Sequence, residues 1–211
     1  FIPIKKGNMN TRIKSLFLSA ALLVSVSSAN ATPIDELQKF NSEVKSATGS
    51  FSQTVLGGKG KSSTGTFAFA RPGKFRWVYK QPYEQVLVSD GKTLTIYDKD
   101  LNKVTKKSIG SAIGSSPAAV LFGGGDLSAN FTLSDAGEKD GRSWVQAVPK
   151  SKSSSFKKVN IGLRNGLPDA MELYDTLGKV TVLTFSGMQR NPSVSASLFS
   201  FTPPAGAAIA K

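Results

Sequence analysis

The chain has 211 residues, neither cysteine nor histidine, and a net charge of +13 at pH 7. Without histidine there is no Ser-His-Asp triad, no histidine general base and none of the commonest zinc ligands, although carboxylate or lysine chemistry stays open. Without cysteine there are no disulfides, and no cysteine at a signal-cleavage site to carry a lipid anchor.

Residues 1–31 read as a secretory signal peptide. Arg12 and Lys14 form a basic start, 16–26 is an apolar run broken only by Ser19 and Ser25, and Ala29-Asn30-Ala31 is a cleavage site. The run falls short of the roughly 20 apolar residues of a membrane span. Met9 reads as the start, with 1–8 an upstream extension. Residues 1–31 hold four basic residues and no acidic one, which leaves about +9 on 32–211. Export argues against nucleic acid as the partner of so basic a chain. An anionic membrane surface, an acidic protein or plain solubility remain as readings of the charge. Residues 32–211 are read as one domain, long enough to bury roughly 70% of its unfolded surface.

Thr32-Pro33-Ile34-Asp35 reads as a capped helix start, with Ile34, Leu37, Phe40 and Val44 at helical spacing and Gly49 as the stop. Strands are expected at 51–56, 64–70, 74–80, 85–89 and 93–98, with a glycine-rich turn at 57–60 and a hairpin turn at Asp90-Gly91. Phe67 and Phe69 share one strand face, and Phe75, Trp77 and Tyr79 share one face of the next. So aromatic a face needs a core or an apolar ligand against it.

The pattern then breaks. Ser116 caps a short helix, Pro117–Phe122, with Val120, Leu121 and Phe122 apolar and Gly123 as its stop. Six residues cannot hold a helix alone in water, so it must lie on the sheet. It is either a fixed plug, the default reading of the sequence, or a lid hinged at its glycines. Further strands are expected at 130–134, 143–148, 156–163, 170–175, 180–187 and 197–201, with turns at Asn165-Gly166 and Leu177-Gly178. Pro203-Pro204 ends the last strand and the tail reads as loose. Some ten mostly antiparallel strands imply a barrel or a strongly curved sheet.

Arg71, before Pro72 at a strand end, is by default a solvated turn residue; its planar fork could instead hold several carbonyls. Asp98 with Asp100, and Asp169 with Glu172, are the carboxylate pairs that glycoside chemistry would need, but their turn contexts argue against it. The lysines at 99, 103, 106 and 107, and at 150, 152, 157 and 158, read as solvated faces.

The run Phe67-Ala-Phe-Ala-Arg-Pro-Gly-Lys-Phe-Arg-Trp77, with Leu87-Val-Ser-Asp-Gly-Lys-Thr-Leu94, closely resembles the periplasmic lipoprotein carrier family, LolA. Ser116-Pro-Ala-Ala-Val-Leu-Phe122 and Leu198-Phe-Ser-Phe-Thr-Pro-Pro204 extend the resemblance along 32–211. It implies a mainly β fold, an unclosed antiparallel β-barrel with short α-helices forming a lid over an apolar cavity. It implies a periplasmic monomer with no cofactor and no catalytic activity. Such a carrier takes lipoproteins from an inner-membrane ABC transporter, holds their acyl chains, and delivers them to the outer-membrane receptor LolB. Phe67, Phe69, Phe75, Trp77 and Tyr79, with Val120, Leu121 and Phe122, would then meet the lipid, and Arg71 would latch the lid by hydrogen bonds. The segment 106–115 departs most from the family's pattern. A lipid- or misfolded-protein-sensing regulatory domain on the same scaffold is the alternative, although such proteins usually carry a second domain. An exported hydrolase is the third reading.

Overall fold

The computed structural model describes Pro3 and residues 31–57, 62–112, 116–122 and 126–210. The signal peptide expected at 1–31 lies, but for Pro3 and Ala31, outside the described residues, as do most of the 57–60 turn and the glycines that follow Phe122.

Helix α1, Pro33–Glu43, begins as expected. The Asp35 N–H donates to Thr32 Oγ1 (3.2 Å) and the Thr32 N–H donates to Asp35 Oδ2 (3.0 Å), a reciprocal cap. The Thr32 hydroxyl, which donates to Asp35 Oδ2 at 2.8 Å, and then the Thr32 N–H hold the Asp35 carboxyl below its ordinary pKa. Leu37 and Phe40 are buried.

The strands are β1 Ser46–Leu56, β2 Ser62–Ala70, β3 Lys74–Gln81, β4 Gln85–Asp90, β5 Thr93–Asp98 and β6 Lys103–Ser108, then β7 Phe131–Lys139, β8 Arg142–Pro149, β9 Phe156–Arg164, β10 Leu167–Asp175, β11 Val180–Arg190 and β12 Ala208–Ala210. Two short helices, α2 Ile109–Ala112 and α3 Pro117–Phe122, separate β6 from β7. The described strands form one 12-stranded sheet in the order β12-β6-β5-β4-β3-β2-β1-β11-β10-β9-β8-β7. Apart from the parallel pair β12–β6, each half is a run of antiparallel neighbours, and β11 returns to pair with β1 from Ala47–Arg190 to Leu56–Val180. The two outermost strands, β12 and β7, do not pair, so the sheet is mainly β and unclosed, as the resemblance implied.

Register places one row of side chains on the concave face. Phe67, Trp77, Leu87 and Ile96 face one another across β2 to β5, and Phe69, Phe75, Ser89 and Leu94 form the next row. Val145, Val159, Ile161, Met171, Leu173 and Leu183 continue the core in the other half.

Four expectations change. Gly49 is not the helix stop: α1 ends at Glu43, and Gly49 lies inside β1 opposite Phe67. A Cβ there would sit 2.6 Å from Phe67 Cζ, so the glycine makes room for a ring. The stretch 103–108, left without structure, is β6; only Val104 of its side chains is buried, which hides the strand in a lysine-rich run. The strand expected at 197–201 is a 3-10 turn, Ala196–Phe199, capped by Ser195, with Phe199 buried. The tail is not loose throughout, because Ala208–Ala210 adds a parallel strand to the open edge of β6. Strands β1, β7, β10 and β11 also run several residues past their expected limits. Strand β7 does so across an irregularity at 135–138, where Gly137 has a positive φ.

Gly65 gives the sharpest test of this packing. It pairs with Phe51, whose ring covers it, and a Cβ would lie 1.9 Å from the Val78 carbonyl oxygen. Backbone cannot step aside as a side chain can. Gly65→Ala is expected to lower unfolding free energy by about 1–3 kcal/mol in urea titration. Gly110→Ala, with open space around it, is expected to change it by less than about 0.5 kcal/mol.

Candidate functional site

The site is the aromatic concave face and the helix that covers it. Phe67, Phe69, Phe75, Trp77 and Tyr79 all face inward and are buried. Trp77 stacks on Phe51 with ring centroids 4.0 Å apart and lies 5.9 Å from Phe67. Phe185 meets Phe67 and Trp77 edge-on at 5.7 and 6.2 Å.

Helix α3 lies on these rings. Ser116 caps it: its carbonyl accepts from the Val120 N–H at 2.9 Å and its hydroxyl from the Ala119 N–H at 3.4 Å. Phe122 stacks on Phe69 at 4.4 Å and on Phe67 at 5.5 Å. From Ala118 to Phe122 no residue is more than 3% exposed. The concavity is therefore occupied by the helix's own Val120, Leu121 and Phe122. In this state α3 is packed into the core, an arrangement that a fixed plug and a closed lid share.

Arg71 sits at one end of this face. Its Nε donates to the Val44 carbonyl (3.0 Å) and its Nη2 to Asn41 Oδ1 (2.8 Å), both at the C-terminal end of α1. Its guanidinium also lies over the Phe69 ring at 5.0 Å and the Phe40 ring at 5.4 Å. Burial pushes its pKa down to about 10. The Val44 and Asn41 acceptors belong to the end of α1, and Phe69 lies in contact with both the Arg71 guanidinium and Phe122. Arg71 is thus not the solvated turn residue of the default reading.

Phe51, Phe185 and Gln53 touch these aromatic residues, and sequence reasoning did not single them out. Phe51 and Phe185 each lay inside an expected strand. Only the pairing of β1 with β11 puts Phe185 beside Trp77.

The carboxylates lie elsewhere. Asp98 accepts the Leu101 N–H in a turn. Asp169 is ion-paired with Arg142 and, at 3.0 Å, with Arg164. Glu172 accepts from Asn160 and Tyr174 on the opposite face of the sheet from Met171. Among the described residues no group of acidic side chains could hold a metal ion, and no helix is long and apolar enough to cross a membrane.

The model of the family described as outer membrane lipoprotein carrier protein LolA matches residues 42–202. This chain belongs to that family. It is 47% identical over 209 residues to the outer-membrane lipoprotein carrier protein of Cupriavidus pinatubonensis, covering 94% of this chain and 99% of that one. It is also 47% identical over 211 residues to the carrier of Ralstonia nicotianae, covering 94% and 98%. The fold resembles that of an uncharacterized conserved protein from Thermus thermophilus, with a TM-score of 0.53 at 13% identity over 84% of this chain and 96% of that one.

Tyr79 supplies a pH test of the burial of this face. Burial raises its pKa to about 12, with the Trp77 indole and the bond from its hydroxyl to Gln53 Oε1 (3.0 Å) pulling the other way. An acid with a raised folded pKa contributes stability that is intact below the unfolded value near 10 and is lost as pH rises towards 12. Stability is expected to fall by about 2 kcal/mol more in wild type than in Tyr79→Phe between pH 10 and 12, measured by denaturant unfolding.

Proposed function

We propose that this protein is a periplasmic chaperone, exported by residues 1–31, that carries lipoproteins by their acyl chains and performs no catalysis. It receives them from an inner-membrane lipoprotein-releasing ABC transporter and passes them, as a monomer, to the outer-membrane receptor LolB. The observation that carries this reading is the concave aromatic face filled by a six-residue helix.

A lipoprotein anchor with about 40 methylenes costs roughly 30 kcal/mol to expose to water, at about 0.8 kcal/mol each. Such cargo needs an apolar container. An empty aromatic concavity in water would also be unfavourable, though by less. Helix α3 answers both needs, because its Val120, Leu121 and Phe122 supply in the empty state the contacts that acyl chains supply in the loaded state. Too short to be stable by itself, it owes its place to that packing and is replaceable there. Each cargo molecule then binds against the cost of displacing the helix, which keeps affinity low enough for delivery.

The reading of Arg71 as the latch is supported by its position behind Phe69, the ring on which Phe122 stacks. By fixing the end of α1 and bracing Phe69, it favours the covered, empty state.

Loading from inner membranes tests the container. Phe69→Asp, checked for folding by circular dichroism, is expected to lose cargo binding, because an unpaired carboxylate cannot be buried against acyl chains. Lys99→Asp, at an exposed surface pair with Glu84, is expected to load normally. A folded Phe69→Asp protein that loads like wild type would sink the assignment.

Transfer of pre-loaded cargo to receptor-bearing outer membranes tests the latch. The guanidinium over Phe69, the ring that carries Phe122, contributes about 0.5–2 kcal/mol, so Arg71→Leu is expected to raise apparent cargo affinity about two- to thirtyfold. That variant then loads but hands on poorly, and Arg71→Lys, lacking the fork, falls between. Poor loading with normal hand-over by Arg71→Leu would show that Arg71 does not favour the empty state.

A further inference from the structure

Trp77 Nε1 is a fully buried donor with no hydrogen-bond partner among the described residues. Its neighbours on the concave face are paired: the Tyr79 hydroxyl donates to Gln53 Oε1 at 3.0 Å, and Ser89 Oγ donates to the Gly73 carbonyl at 2.7 Å. The other indole, Trp144, donates to the Lys139 carbonyl at 3.1 Å. An orphaned buried N–H is rare in a native protein and costs stability.

Packing does not account for it. The ring is sandwiched between Phe51 and Phe67, with Phe122, Phe185 and Tyr79 within 6.4 Å. A phenylalanine would stack among these rings without bringing a donor into them. The Trp77 indole lies close enough to Tyr79 to ease that group's pKa, yet not in hydrogen-bond geometry. The N–H is therefore held ready in an apolar place where nothing in this state uses it.

Resting on the carrier reading above, we propose that Trp77 Nε1 donates to a carbonyl oxygen of the cargo, the ester or amide carbonyl that joins an acyl chain to its headgroup. The chemistry of the pocket selects this acceptor. An acyl chain offers no hydrogen-bond acceptor except that carbonyl. A phosphate or carboxylate would need a cation beside it, and the rings around Trp77 supply none. A neutral carbonyl satisfies one donor without bringing charge into the concavity. The site thus recognises acylated lipids as acyl compounds and not only as hydrocarbon.

The probes are dipalmitoylglycerol and its ether-linked twin dihexadecylglycerol, which have equal chain lengths and differ in the carbonyl. Each competes with an environment-sensitive apolar dye for the purified protein. Wild type is expected to bind the ester lipid about tenfold more tightly, the effect of one satisfied hydrogen bond. Trp77→Phe is expected to lose the preference and bind both lipids alike. Equal binding of the two by wild type, or a preference that survives in Trp77→Phe, overturns this assignment and leaves the carrier reading standing. If wild type binds neither lipid, both fall. A second measurement does not depend on the Trp77 variant. In Trp144→Phe protein, which leaves Trp77 as the sole indole of the two in the chain, the N–H-sensitive resonance Raman band is expected to shift towards a hydrogen-bonded position with the ester lipid and not with the ether lipid. No difference between the two lipids overturns the proposal.

Discussion

The stack of Phe122 on Phe69, 4.4 Å between ring centroids, joins every part of this molecule that matters for its chemistry. On one side it fastens a helix too short to persist by itself. On the other it meets a ring that is also covered by the Arg71 guanidinium and touched edge-on by Phe40 at 6.1 Å. The first helix, the second strand, the arginine and the covering helix therefore share one side chain. An aromatic pair of this kind adds only about 0.5–1.5 kcal/mol beyond its burial. That is small enough to break and specific enough to place the helix.

Topology makes the concavity available. A sheet whose last long strand returned to a neighbour at the opposite edge would close and fill its interior with its own side chains, as small barrels do. Here β11 returns to β1 in the middle of the order, so both edges stay apart and the crossover between them is left to α2 and α3. The link between the halves is thus also the cover of the interior. On the β6 side the edge carries lysines and is capped by three residues of the tail, a protection that an exposed strand needs.

How far the sequence spoke for this arrangement depended on how local each signal was. That Phe75, Trp77 and Tyr79 share a face follows from period two within one strand, and it needed no partner. That the face is concave, and that Phe51 and Phe185 belong to it, depends on pairing Ala47 with Arg190, which no local pattern encodes. Strand β6 was invisible because Val104 is its one buried side chain, and β12 because three residues after two prolines are ordered by an edge and not by themselves. Gly49 shows the same limit in one residue. A glycine that ends a helix and a glycine that clears space beneath Phe67 look alike until the neighbouring strand is in place. The role of Pro117–Phe122 stood between plug and lid for a related reason: burial describes one state, and carriage needs two.

The balance between those states can be argued from magnitudes. Fully burying side chains the size of Val120, Leu121 and Phe122 is worth about 1.5–3 kcal/mol each, which puts the cover near 5–9 kcal/mol before the entropy of ordering it. Acyl cargo brings roughly 30 kcal/mol of apolar surface out of water. On the proposed reading cargo displaces the helix readily, yet the helix still subtracts its share from the net affinity. On the latch reading Arg71 would add to that share, from a buried position that disfavours its own charge. Acceptors at Val44 and Asn41 and two aromatic faces offset the cost. A stronger cover would reject acyl cargo, and a weaker one would hold it too tightly or leave the rings wet. A six-residue helix braced through one phenylalanine falls between those failures.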